Sequence, residues 1–445
     1  MKSFVVFLLC LLSVSLFSQK KWTLQESVNY AVENNLQVLR GNLNTKIQDN
    51  TLKIAKREYL PSVNANAGLN GAFGQGTDLF GNTNRNDNFR SNANVGADIL
   101  LFNYGRLEKN IRKTQYEVEA NNFDLQRTKD DISLQIAQQY LSILLNREIV
   151  QISESAQNNA QKLYERAKIT TDVGTTPQTI LAEAEAALAR EKQNVNTAQI
   201  NTDRSLFALA MLLQLKDYKN FDIVNVPVDN ILDAPLFSAE TIIDKAYENQ
   251  PQIKAADSRI KSAEAQTEIT RTAFWPTISA NAGFGTSYFY RFKLVDPTGA
   301  TIQQTNFIDQ FTDNFGQQVG VSANIPIFNK GITRLQVEQS KINEELAKVA
   351  LEQSKQDVLQ NVQKAQFDAE SNYGAYLAAT QAEKSSRLAV DFAEKSFAAG
   401  RTTIYDLNTA RNNFANAQGS VAQAKYNYLF SMKLLNFYAG IPLSL

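Results

Sequence analysis

Apolar and polar residues alternate one by one in four segments of the chain. The first follows Pro61 and reads SVNANAGLNG at 62–71, with alanine, valine and leucine on one side and asparagine and glycine on the other. The same pattern returns at about 92–101, 278–290 and 315–327. A period of two predicts β-strands with one apolar and one polar face, and the spacing of the segments predicts two hairpins.

Two interpretations of these hairpins are open from the pattern alone. They fit half-buried hairpins of a soluble domain, but strands of about 11 to 13 residues exceed the usual 5 to 6 and suit a tilted membrane-spanning strand. The polar face is small and amide-rich instead of charged, which suits a wetted lumen. Aromatic residues gather at the strand ends, as in interfacial girdles; they are Phe73, Phe80, Phe89, Phe102, Tyr288, Phe289, Tyr290, Phe292, Phe307, Phe311 and Phe328.

Two very long helices follow the hairpins. Between Gly105 and about Ile169 the chain has neither proline nor glycine, and apolar residues recur at steps of three, four and seven. Some 65 helical residues would span roughly 100 Å. The apolar spacing recurs in the segment 331–399, and shorter helices are predicted to return at about 177–215 and 403–438.

Each long helix is predicted to end in a tight turn, DVGTTPQT at 172–179 and AGRTTIYDL at 399–407. Glycine suits the helix end, Thr176 or Thr403 could cap the next helix, and Pro177 suits its first position.

The chain is a duplication. Pro61 recurs as Pro276, the motif Phe-Asn-x-Gly occurs at 102–105 and 328–331, and the same spacing then leads to Gly174 and to Gly400. A repeat this long is not a solenoid unit. We expect two copies, at 22–215 and 237–440, joined by a connector at 216–236.

The composition excludes several classes of function. The chain has no histidine, which excludes Ser-His-Asp and Cys-His catalytic sites. Its 45 basic and 45 acidic residues cancel, so the protein has no net positive charge that would attract nucleic acid. Residues 1–18 have the layout of a secretory signal peptide, with cleavage expected near Ser18. The single cysteine, Cys10, lies inside that segment, where a lipid-anchor role is the alternative.

Four strands cannot close a barrel, and an open sheet edge is not tolerated in lipid because its amides lack partners. About eight strands is the smallest barrel that closes, so several copies must pool their strands. Three copies would supply twelve.

These residues resemble the TolC-like outer-membrane efflux proteins, also called outer-membrane factors. The resemblance spans about 22–440 and rests on the strand starts at Pro61 and Pro276, the two Phe-Asn-x-Gly motifs, the two glycine turns and AKYNYL at 424–429. It implies an α+β membrane protein with an internal two-fold repeat, in which a long antiparallel α-helical tunnel continues a 12-stranded trimeric transmembrane β-barrel with four β-strands per protomer. Residues 19–445 would then form one channel domain.

The resemblance also implies function and location. The protein would be a homotrimeric exit channel in the outer-membrane lipid, with its helices in the periplasm. It would serve a tripartite efflux or type I secretion system through a periplasmic adaptor, or membrane fusion, protein and an inner-membrane transporter. No cofactor, metal or nucleic acid is implied. Which substrates pass would depend on the inner-membrane partner.

Site residues follow from the same resemblance. Asp406 falls on the first acidic position of the periplasmic constriction, and Thr409 stands at the second. The copy-one equivalent of Asp406 is Ile180, so a hydrogen-bonded lock between hairpins is not expected. Adaptor contact is expected at the hairpin tips, which comprise Val173, Gly174, Thr175, Gly400, Arg401 and Thr402.

Two alternatives remain beside these expectations. Thr403 and Asp406 have capping-box spacing, so Asp406 could serve only to stabilise a helix start, a role compatible with facing a pore. For the whole chain, the alternative is an elongated exported structural or adhesin-type coiled-coil protein, which would explain the helices but not the hairpins. An enzyme is the weakest interpretation, since no converging pair of catalytic groups is identifiable.

Overall fold

The computed structural model describes residues 21–77, 81, 83–226, 239–292 and 302–441. The predicted signal peptide, Phe80 and the proline-containing part of the connector lie outside these residues. The chain forms two compact units, each built from both sequence copies. One takes in the described parts of Met1–Thr45, Asn121–Ala255 and Leu351–Leu445, and the other those of Lys46–Ala120 and Ala256–Ala350.

Most of the helices occur in matched pairs. In chain order they are α1 (Leu24–Asn34), α2 (Leu36–Arg57), α3 (Arg106–Asp172), α4 (Gln178–Leu212), α5 (Ala239–Asn249), α6 (Pro251–Arg271), α7 (Phe307–Asp313), α8 (Ile332–Ala398) and α9 (Ile404–Tyr438). The long helices α3 and α8 each contain 67 residues, and the returning helices α4 and α9 each contain 35. The predicted duplication and the predicted long helices are therefore confirmed.

The strands are β1 (Lys21–Trp22), β2 (Ser62–Ala72), β3 (Gln75–Thr77), β4 (Thr83–Arg85), β5 (Asn88–Phe102), β6 (Asp222–Ile223), β7 (Thr277–Arg291) and β8 (Gly316–Asn324). The four long ones form one antiparallel sheet in the order β2-β5-β7-β8. The two predicted hairpins thus lie side by side in one sheet, and β2 and β8 form its edges.

The register of the sheet keeps like residues together. One row across the four strands is Val63, Ala97, Ala282 and Val319, and the next row is Asn64, Gly96, Gly283 and Gln318. A slip of one residue in any strand would place asparagine or glutamine among the valines and alanines. The alternation in the sequence therefore fixes both the faces and the pairing.

The turn between α3 and α4 differs from the expectation. Pro177 occupies the N-cap position of α4, not its first helical position, and no side chain caps this helix. The prediction that Thr176 caps it is wrong, because a residue before proline is driven toward extended backbone and here lies outside the helix. Its neighbour Thr175 instead donates a hydrogen bond to the carbonyl of Thr170, at 2.8 Å.

Five short elements were not predicted. The parallel pair β1 and β6 joins the start of the described chain to the first part of the connector. The small ladder of β3 and β4 lies in the first hairpin connection, and helix α7 lies in the second. Segments of two to seven residues carry too little periodicity to be recognised in a sequence.

The largest apolar core lies in the first unit, where α1, α3, α4 and α9 meet. Tyr140 on α3 is fully buried there, and its hydroxyl reaches the carbonyl oxygens of Trp22 at 3.2 Å and Val224 at 2.8 Å. Burial raises the pKa of Tyr140 to about 12, so the hydroxyl keeps its proton. Next to it, Arg147 donates to the carbonyl of Ile223 at 3.0 Å and forms an ion pair with Asp222.

Candidate functional site

The start of α9 places the candidate constriction residue Asp406 in a complete capping box. The backbone N–H of Asp406 donates to Oγ1 of Thr403 at 3.1 Å, and the Asp406 carboxylate accepts from the backbone N–H of Thr403 at 3.2 Å. The same carboxylate accepts from the hydroxyls of Thr403 and Thr402, at 2.6 and 2.9 Å. These hydrogen bonds, chiefly that of the Thr403 hydroxyl, hold the pKa of Asp406 below its ordinary value, so it is ionised at neutral pH.

Asp406 and Thr409 lie one turn apart and are both exposed, whereas Ile404 and Leu407 between and beside them are buried. The Thr409 hydroxyl donates to the carbonyl of Tyr405 at 2.9 Å. The structure therefore brings the two candidate constriction residues to one exposed face of α9, and it also confirms the capping interaction that the spacing indicated.

The candidate hairpin tips lie in two exposed turns. Gly174 and Gly400 both have positive φ, 76° and 69°, which would strain any other residue even though the space around each glycine is open to 4 Å. Val173 is 68% exposed beside the first glycine. Each glycine ends its long helix and leaves the neighbouring side chains accessible.

Ile180, the copy-one equivalent of Asp406, has an apolar role. It packs against a small cluster formed by Ala167, Ala184 and Ile404 near the tips. The two copies therefore use the same position differently, one in an apolar contact and the other as a capping carboxylate.

A cavity of about 400 Å³ lies between α3, α4, α8 and α9 in the first unit. Its lining includes Arg411, whose guanidinium donates from Nε to the carboxylate of Glu394 at 3.1 Å. Sequence patterns did not indicate this cavity, because its lining residues are dispersed over four helices.

The sheet presents two chemically distinct surfaces. On the apolar face Val63, Val319 and Val321 are 66%, 86% and 70% exposed. On the other face asparagine, serine and glycine predominate, and Ser279 and Ser322 are joined by a hydrogen bond of 2.9 Å across β7 and β8. Valines this exposed require a partner surface.

Two other kinds of site do not occur among the described residues. None of their helices combines the length and apolar character needed to cross a membrane. They contain no group of three or more histidine, cysteine, aspartate or glutamate side chains placed to hold a metal ion.

Comparison with known proteins identifies the family. The family model described as outer membrane efflux protein matches residues 28–213 and 242–440, once in each copy. The outer membrane efflux protein BepC of Brucella suis is 23% identical over 419 residues, which cover 93% of this chain and 84% of BepC. The cation efflux system protein CusC of Escherichia coli K12 is 25% identical over 394 residues, which cover 81% and 79% of the two chains.

A solved structure shows the same fold. The CmeC outer membrane channel of Campylobacter jejuni superposes with a TM-score of 0.75 at 19% identity, covering 94% of this chain and 85% of CmeC. The predicted combination of long helices and a four-stranded sheet is thereby confirmed. With matches to both copies of the repeat and to the fold, this chain belongs to the outer membrane efflux protein family.

Proposed function

We propose that this chain is the outer-membrane exit channel of a tripartite efflux or type I secretion system. The observation that carries this proposal is the four-stranded sheet, with one exposed apolar face, one amide and glycine face, and edges at β2 and β8. Three copies would pair β8 of one chain with β2 of the next and close a twelve-stranded barrel with lipid outside and water inside.

The helices extend the conduit in the periplasm. Transported substrates enter from an inner-membrane transporter through a periplasmic adaptor protein and leave passively. This role is not enzymatic. The family match includes the strand-forming segments as well as the helices, which disfavours the structural or adhesin-type alternative.

The purified protein tests this proposal. Detergent-solubilised protein should have a mass near three times that of the chain after removal of the leader, and it should conduct ions in a planar bilayer. A folded monomer in the outer membrane, or trimers without conductance, would refute it.

Asp406 and Thr409 are the proposed constriction residues, and the turns at Val173, Gly174, Thr175, Gly400, Arg401 and Thr402 are the proposed adaptor contacts. The chain has one cysteine, inside the predicted leader. A cysteine placed at Thr175 or Arg401 is therefore unique in the mature protein and should crosslink to the adaptor in cells. A cysteine at the exposed Glu338 of α8, in the other compact unit, serves as the control.

A further inference from the structure

An apolar groove crosses the sheet beneath helix α7 and has a volume of about 630 Å³. Its floor is the apolar face of β2 and β5 at Ala65, Ala67, Ala93 and Val95. In the sheet Ala65 lies opposite Val95 and Ala67 opposite Ala93, so small side chains are concentrated at this level. The floor is low because β2 and β5 carry no side chain larger than valine on this face at these positions.

Three phenylalanines form the walls: Phe284 on β7, Phe311 on α7 and Phe315 after it. The rings of Phe284 and Phe315 lie 6.1 Å apart. The described residues that line the groove include no ionisable side chain, and the polar side chains on this face are the hydroxyls of Thr286 and Thr312, because Asn66 and Asn94 lie at positions whose side chains project from the opposite face. The groove thus offers an elongated apolar ligand nearly continuous hydrocarbon contact.

Hydrogen bonds to β7 hold α7 above the groove. The hydroxyl of Thr286 donates to the carbonyl of Phe311 at 2.6 Å, and the backbone N–H of Phe289 donates to Oε1 of Gln310 at 3.1 Å. Asn314 donates to the carbonyl of Ser287 at 2.7 Å. Because these bonds hold the middle and the C-terminal end of α7 on β7, the groove is preformed instead of depending on a ligand to open it.

Aromatic rings adjoin the groove at one end only. Beyond Thr286 the same face of β7 carries Tyr288 and Tyr290, and the Tyr288 ring lies 4.9 Å from that of Phe307 on α7. On the other side of the groove the face continues as exposed valine and alanine. Tyrosine-rich bands mark the headgroup level of a membrane, and aliphatic surface marks the hydrocarbon level. The groove therefore begins at the headgroup level and runs into the hydrocarbon.

We propose that this groove binds one acyl chain of a membrane lipid, whose headgroup lies beside Tyr288 and Tyr290. The inference rests on the proposed function, since it requires the apolar face of the sheet to contact lipid. The bound chain would be an annular lipid held in a defined position. It would fill the space that the small residues of β2 and β5 leave beneath α7.

Filling the groove tests the proposal. Ala67→Phe and Ala93→Phe would place a ring on the floor, and Ala97→Phe is the matched control at the next position of β5 on the same face, outside the lining. The trimer is reconstituted in nanodiscs of dioleoylphosphatidylethanolamine and released for native mass spectrometry. The wild type and Ala97→Phe should retain one lipid per protomer. The two filling variants should retain about tenfold less, since excluding even two methylene groups weakens apolar binding by about that factor.

Phe311→Ala provides a second approach that does not crowd the sheet. It removes a wall and should also release the lipid. Equal lipid retention in all variants, or none in the wild type, would overturn the proposal. Loss of the trimer in the filling variants, with no lipid on the wild type, would instead assign the groove to a neighbouring protomer. Conductance of the same samples distinguishes failure of the lipid proposal from failure of the channel proposal. Conducting trimers without retained lipid contradict the lipid proposal alone, whereas absent conductance contradicts the proposed function.

Discussion

The side chain of Gln304 bonds to both backbone polar groups of Arg291, accepting from its N–H at 2.8 Å and donating to its carbonyl. A residue of a neighbouring strand would make the same two bonds. β7 continues six residues beyond Gly285, where its pairing with β8 ends. Gln304, Gln310 and Asn314 supply partners along that extension, so their amide side chains protect a strand edge that would otherwise accept another chain.

Replacing Gln304 with alanine should expose this edge. Two hydrogen bonds are lost, each with a net contribution of about 1 kcal/mol. We expect faster amide hydrogen exchange at Arg291 in the detergent-solubilised trimer. Gln303→Ala, which removes an adjacent exposed glutamine side chain, should leave the exchange rate at Arg291 unchanged. Equal protection in the two variants would show that the Gln304 bonds do not protect the edge.

Neighbouring residues of β8 should differ sharply in their tolerance of charge. Val319 lies on the apolar face and Gln318 on the other. Arginine at a lipid-facing position near the middle of the bilayer costs about 2–4 kcal/mol, whereas lumenal positions tolerate it. Val319→Arg should therefore lower the yield of assembled outer-membrane trimer, and Gln318→Arg should assemble normally with altered ion selectivity. The reverse result would invert the assignment of the two faces.

Asp406→Asn tests the constriction. Three carboxylates brought together at a narrow opening favour cations and their binding, and the amide retains much of the local hydrogen bonding without the charge. Single-channel recording should show weaker cation selectivity and weaker block by multivalent cations. Thr409→Ala serves as a neutral control on the same face. If selectivity and block do not change in the Asp406→Asn trimer, Asp406 acts only at the helix start.

The capping role of Asp406 has its own pH dependence. Because folding lowers the pKa of this carboxyl, its contribution to stability is fully present above the ordinary value of 3.8 and is lost as the pH falls through the lowered value. Amide protection in the first turn of α9 should therefore persist through mildly acidic conditions and decline only below about pH 4. A decline centred near neutral pH would contradict this assignment.

Tyr140→Phe should loosen the core of the first unit. It removes the hydroxyl that reaches the carbonyls of Trp22 and Val224 and leaves those groups without this partner, at a cost of about 1–3 kcal/mol. Thermal unfolding should occur at a lower temperature, and amide exchange in β1 and β6 should increase. Tyr30→Phe, in a ring that packs 5.0 Å from Trp22, is the control for losing a tyrosine hydroxyl from the same cluster. A similar effect of both variants would indicate a general loss of packing.

The repetitive parts of this fold were predictable from sequence, whereas polar contacts between residues distant in the fold or without a motif were not. Alternation fixes the faces and register of Val63 and Asn64 because pairing must satisfy whole rows at once. The helices α3 and α8 were evident since their periodicity extends over many turns. By contrast, Gln304 is one of many polar residues of a kind usually found at the surface. Only the folded structure shows that its amide contacts the backbone of Arg291.

The candidate sites divide in the same way. The Thr403 and Asp406 spacing indicated a capping box, which the structure contains. The equivalent expectation for Thr176 and Pro177 was wrong, since the proline takes the capping position itself. The groove beneath α7 depends on alanines from two strands and on a helix too short to be recognised, so no single segment of the sequence indicates it.

The unequal capping of α4 and α9 has a consequence for how the conduit would open. Of the two returning helices, α9 begins with reciprocal side-chain bonds and α4 begins at Pro177 without any. Loss of such a cap weakens a helix start by about 1 kcal/mol. Around a closed ring of three chains, turns that lead into a capped helix, α9, would therefore alternate with turns that lead into an uncapped helix, α4. A partner that pulls equally on all six turns would first unwind those of the first copy, so that opening would proceed in two stages.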